Sequence, residues 1–124
     1  MEIEECFGKI VNISQKKGIQ KALSLIGLNN KKIESFVKKG NFIVELKNFD
    51  VVIDVKEKLN QINLYLCDKK WSKELLKSLR NSFSFKSMVV FLGKITISKK
   101  VYELRIGAFG ISSSELVKAI LKFK

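Results

Sequence analysis

Residues 41–67 read NFIVELKNFDVVIDVKEKLNQINLYLC. Apolar residues recur at every second position: Phe42, Val44 and Leu46, then Val51, Ile53 and Val55, then Ile62, Leu64 and Leu66. Glu45, Lys47, Asp54 and Lys56 fill gaps between them. A period of two puts alternate side chains on opposite faces, which is the mark of a half-buried strand. The breaks at NFD (48–50) and KLNQ (58–61) are turn-like. The stretch therefore predicts three strands in a meander, and the rest of the chain must cover the apolar face they create.

Toward the C-terminus, three more strands are predicted: SMVVFL (87–92), KITIS (94–98) and VYELRIGAF (101–109). Turns fall at Gly93 and at Lys99–Lys100. Phe85, Val89, Val90 and Phe91 make an apolar run that suits a central strand or a subunit interface. Ser112 and Glu115 then form a capping box, with Ile111 and Leu116 placed as its hydrophobic staple. Leu116, Ile120 and Phe123 share one face of the helix that follows.

Toward the N-terminus, residues 3–13 (IEECFGKIVNI) read as a first strand, and Ser14 as the N-cap of a helix. That helix carries Ile19, Ala22, Leu23 and Ile26 and stops at Gly27. Asn30 caps a second, short helix with Ile33, Phe36 and Val37, closed by Gly40. The fold class is α+β: an antiparallel sheet of about six strands, with three or four helices mainly on one face. The other face is left for solvent, a partner or a homodimer. INLYLCDKKWSKELLKSL (62–79) resembles YELRIGAFGISSSELVKAIL (102–121). A duplicated strand-strand-strand-helix unit is one reading, and two independent amphipathic units are the other. The length of 124 residues suits a single domain, 1–124.

Charge is the strongest functional signal. Lys plus Arg number 24 against 12 Asp plus Glu, a formal charge of +12. An AT-rich coding sequence favours Lys over Arg, but glutamate codons tolerate it too, so the shortage of acid still calls for a polyanionic partner. Only Arg80 and Arg105 are arginines, which suits phosphate contact better than bidentate reading of guanine edges. With no histidine, Ser-His and Cys-His catalysis and histidine-metal sites are excluded. Cys6 and Cys67 have no CxxC spacing and read as idle thiols of a reducing cytoplasm. The acidic start is not a secretion signal, and no apolar run is long enough to span a membrane.

KKWSKELLKSLRNSF (69–83) predicts a helix capped by Asp68. Trp71, Leu75, Leu76, Leu79 and Phe83 cover one arc. Lys69, Lys70, Lys73, Lys77 and Arg80 cover the opposite arc, with Glu74 at the flank. This stripe is the candidate nucleic-acid surface. Its alternative is a plain solvated helix back, although such faces normally mix signs. Further lysines come in pairs at helix ends and turns: Lys16–Lys17, Lys31–Lys32, Lys38–Lys39 and Lys99–Lys100.

Weaker patterns each have a bland alternative. RIGAFGISSSE (105–115) holds Gly107-x-x-Gly110, similar to the RNA-clamping loop of KH domains, but a strand-to-helix turn accounts for the same letters. KGIQKALSLIGLNN (17–30) is similar to helix-hairpin-helix segments, and an amphipathic helix with a glycine stop explains it equally. VVIDVKEKLNQINLYLCDKK (51–70) resembles the PD-(D/E)xK nuclease pattern. That resemblance implies Asp54 and Asp68 as holders of a Mg²⁺ ion, Lys70 as the lysine that helps activate water, and Glu34 as a further acid on a preceding helix. LKSLRNSF (76–83) resembles a helix motif of the small dimerising subunit of the KEOPS tRNA-modification complex. It implies a non-catalytic subunit that supports its complex and helps carry tRNA.

The chain is thus read first as a small basic nucleic-acid-binding or accessory protein, with RNA ahead of DNA, a non-catalytic role ahead of an enzymatic one, and no cofactor. The alternatives are a Mg²⁺-dependent nuclease and an interaction subunit for an acidic protein surface.

Overall fold

The computed structural model describes residues 3–39, 43–69 and 89–108. Gly40, Phe42, Phe85, the helix read at 69–83 beyond Lys69, Gly110 and the capping box at Ser112–Glu115 lie outside these residues. Three helices come first: α1 (Ile3–Lys17), α2 (Ile19–Ser24) and α3 (Asn30–Lys39). Five strands follow: β1 (Ile43–Glu45), β2 (Asp50–Lys56), β3 (Gln61–Cys67), β4 (Val90–Ile97) and β5 (Lys100–Ala108).

The meander forms as read. β1 pairs with β2 and β2 with β3, all antiparallel, with Val51 opposite Leu66 and Ile53 opposite Leu64. The sheet order is β1-β2-β3-β5-β4. β5 lies parallel to β3 and antiparallel to β4, so the sheet is mixed and not antiparallel as expected. Alternation reports which face a residue takes and carries no information on strand direction. A parallel pair needs a long crossover, and here that crossover contains β4.

Among the described residues five strands stand where about six were expected, and two strand readings change. First, residues 3–13 are helical. Cys6, Phe7, Ile10 and Val11 are buried at helical spacing, with Glu4 and Glu5 in the first turn and Lys16 and Lys17 in the last. Those charges complement the helix dipole. Ser14 is not an N-cap: it sits inside α1, where its hydroxyl donates to the Val11 carbonyl at 2.8 Å. Second, residues 90–97 are one strand with a bulge. The register passes from Phe91–Arg105 to Gly93–Leu104 and leaves Leu92 as the extra residue, buried in the core. Gly93 is therefore a bulge position, not a turn. The true turn is Ser98–Lys99, both at positive φ (52° and 68°), as a two-residue hairpin of right-handed twist demands. Of the proposed repeat, the second unit contributes two strands among the described residues.

α1, α2 and α3 share one core with the front face of the sheet: Val51 and Ile53, Ile62, Leu64 and Leu66, Ile95 and Ile97, Leu104 and Ile106. The expectation of helices on one face holds for the described part. The back face is divided. Around β2 and β3 it is buried, with Val52, Tyr65 and Cys67 clustered there. Toward β4 it opens, where Phe91 and Val101 are about half exposed. β4, read as a central strand or an interface, is the edge of the described sheet.

The α2–α3 turn is built by local hydrogen bonds. Gly27, at φ 75°, donates to Ser24 at 3.1 Å, and Leu28 donates to Leu23 at 3.0 Å. This is the Schellman closure of a helix by a left-handed glycine. α3 is capped by Asn29, one residue before the expected Asn30: its side-chain oxygen accepts from the Lys32 amide at 2.9 Å.

A Cβ on Gly93 would run into the side chain of Ile19. Gly93→Ala should cost about 1–3 kcal/mol by overpacking. Paired with Ile19→Ala, the loss should be smaller than the sum of the two singles in a urea-melt double-mutant cycle.

Candidate nucleic-acid interface

Of the cations read on the 69–83 stripe, Lys69 is described. It lies just past β3, and its ammonium sits 3.1 Å from a side-chain oxygen of the buried Asp50. Asp50 begins β2 and pairs in register with Cys67, so Lys69 ties the end of the β2–β3 hairpin. Lys70, Lys73, Lys77 and Arg80 lie outside the described residues.

Of the nuclease set, the described acids Asp54, Asp68 and Glu34 are not gathered into one site. Asp54 is buried on the back face of β2, opposite Asn63. Asp68 follows Cys67, whose partner is Asp50, so it stands about five residues, or about 17 Å, along the hairpin from Asp54. Glu34 is on α3, across the sheet. It accepts from Ser98 at 2.9 Å and pairs with Lys38 at 3.1 Å. The Ser98 hydroxyl first, then Lys38, hold its carboxyl below the usual range. Lys70 lies outside the described residues. Among the described residues no group of three or more Cys, Asp and Glu could hold a metal ion.

Two features were missed in the sequence. One is Asp50, passed over as a turn residue. The other is a back-face row across three strands, Asp54–Asn63–Arg105. Asp54 Oδ2, Asn63 Oδ1 and Arg105 Nε are buried without hydrogen-bond partners, although Lys56 Nζ lies 3.5 Å from the Asp54 oxygen. The adjacent guanidinium makes this row a poor cation site. Burial, then the Asp54 charge, push the nearby Tyr65 phenol up to about 12. Counting by twos along the strands would have placed these residues on one face; their neighbours depend on register.

The basic surface that is described lies on the helix layer. Lys16, Lys17, Lys21, Lys31, Lys32, Lys38 and Lys39 are all exposed, and Glu34 is the sole acid within residues 16–39. Gln20 donates to Asn30 at 2.6 Å, which fastens the start of α2 to the start of α3. On α3, Lys31 and Lys38, like Lys32 and Lys39, are seven residues apart, so each pair shares a face across about 10.5 Å. That spacing is close to one Debye length, so the charges act together.

Their placement is uneven in cost. Lys16, Lys17, Lys38 and Lys39 sit in last turns, where the helix dipole favours cations. Lys31 and Lys32 sit in the first turn of α3, which has no acid and where the dipole opposes them. Lys32 recovers part of this by donating to the Gly27 carbonyl at 2.9 Å. The positive end of a helix beside two lysines is suited to an anion, although Asn29 already takes the Lys32 amide.

No described helix is long and apolar enough to cross a membrane. No family model, curated protein or solved structure matches the chain.

Two outcomes follow from ion pairs, that of Lys69 with Asp50 and that of Lys100 with Glu57 at 2.7 Å. Lys69→Gln should lower stability by about 1–2 kcal/mol, because it strips a charged partner from buried Asp50; chemical denaturation reads this directly. Glu57, held below the usual carboxylate range first by Lys100 and then by Tyr102, gains stability only above its unfolded pKa of about 4.3. That gain is lost as pH falls through the lowered folded value, so Glu57→Gln should flatten the acid limb of a stability–pH curve below about pH 4.

Proposed function

We propose that the protein is a small basic nucleic-acid-binding or accessory protein that holds phosphate through lysines, with RNA preferred to DNA. The observation that carries this reading is Lys31 and Lys32 at the positive end of α3, within a lysine-rich, acid-poor helix surface. Placing cations against a helix dipole lowers stability, and local rules are broken in this way where function requires it. A phosphate at that helix start would meet the positive end of the helix and the Lys31 ammonium, and would draw the Lys32 ammonium from the Gly27 carbonyl. Lys73, Lys77 and Arg80 would extend the footprint. The resemblance of residues 76–83 to the KEOPS small subunit supports RNA, tRNA included, as the partner, in a role without catalysis. With few arginines, recognition would rest on backbone charge rather than base edges.

Anisotropy with labelled tRNA, single-stranded RNA and duplex DNA, titrated from about 50 to 300 mM salt, tests this. The expected slope of log K against log salt is about −3 or steeper, at about 0.7–0.9 per phosphate contact. Lys31→Glu should weaken binding and shallow the slope, yet raise folding stability by about 0.3–1 kcal/mol, since glutamate suits a helix start. Loss of stability with unchanged affinity would contradict the reading. No binding at low salt would leave an acidic protein surface as the partner.

A further inference from the structure

Beside the α3 start lies a groove that the charge argument does not use. It is an open cleft of about 390 Å³ between the α2–α3 turn and the β1–β2 turn. That size falls within the roughly 300–1,000 Å³ range of ligand clefts. Leu25, Ile26, Leu46 and Phe49 supply its apolar lining, and Lys32 and Lys47 its charge. Leu25 is 40% exposed although apolar, while Ile26 and Phe49 are buried beneath. Both walls are held by backbone hydrogen bonds. The Gly27 closure fixes one, and a Leu46 amide to Phe49 carbonyl bond of 3.1 Å fixes the other. Among the described residues no carboxylate lines the groove.

An apolar floor with ammonium groups at the rim complements a flat, uncharged ring joined to anions. A duplex keeps its bases stacked and offers no such ring to a cleft, whereas a single strand does. We propose that this groove takes one unstacked base of a single-stranded nucleic acid against Leu25 and Leu46, with Lys32 and Lys47 on the flanking phosphates. The assignment rests on the nucleic-acid reading and adds to it a preference for single strands and a residue set for that preference.

The test uses the full chain and anisotropy with short labelled single strands of RNA and of DNA, the same strands made abasic, and a duplex. Intact single strands should bind more tightly than abasic strands or duplex at equal salt. Leu25→Ser, at an exposed position that folding tolerates, should lose about tenfold on intact single strands and nothing on abasic strands. Lys47→Gln should weaken both. Equal affinity of the wild type for intact and abasic strands, or an equal effect of Leu25→Ser on both, overturns the groove while leaving the Lys31 result standing. If no strand binds and Lys31→Glu changes nothing, the nucleic-acid reading fails with it. Tighter binding of RNA than of the same DNA strand assigns RNA as the source of the base; the reverse assigns DNA.

Discussion

β3 is buried on both faces, and the rest of the described structure is arranged around that constraint. Ile62, Leu64 and Leu66 are wholly buried against the helix layer, while Asn63, Tyr65 and Cys67 are buried behind. Each large apolar side chain so placed contributes about 1.5–3 kcal/mol. β2 reaches one edge of β3 by a hairpin, and β5 takes the other edge, parallel, by the crossover that contains β4. β4 then takes the outer place. α1 lies over the centre because Cys6, Phe7, Ile10 and Val11 form the stripe that seals the front face. Burial also accounts for two raised thiols: behind the sheet it pushes Cys67 up to about 12, and under α1 it pushes Cys6 up to about 11.

A core of this kind decides where charge can go. With β3 sealed, described lysines gather on the outer helix surface and at turns. Asp50, at the buried end of β2, is met by Lys69, so one cation of the expected phosphate-binding stripe serves the hairpin. Lys16, Lys17, Lys38 and Lys39 serve their own helix ends. Lys31 and Lys32 instead stand against the dipole of α3, offset only by the bond from Lys32 to the Gly27 carbonyl.

The strands at 43–45, 50–56 and 61–67 were legible because period two is unambiguous there. The strand reading of residues 3–13 failed because two periods compete in those letters. Ile3, Phe7, Val11 and Ile13 fit alternation, while Ile3, Cys6, Phe7, Ile10 and Val11 fit a helix, and only the helix seals the sheet. Gly93 read as a turn because glycine marks turns and bulges alike; the approach of Ile19 that requires it comes from an element distant in sequence. The parallel β3–β5 pair leaves no trace in alternation. Asp50–Lys69 and the Asp54–Asn63–Arg105 row depend on register, and the nuclease pattern was separated by the same register. The lysine pairs were legible as pairs, but the adverse position of Lys31 and Lys32 became visible only once α3 had a start.

The most direct test of the account is an amide NMR titration of the protein with single-stranded RNA at low salt. Shifts concentrated in residues 16–39 and 46–49, and reversed by added salt, are the predicted result. Shifts confined to the back face around Asp54 and Arg105, or none at all, would contradict the helix layer as the phosphate-binding surface.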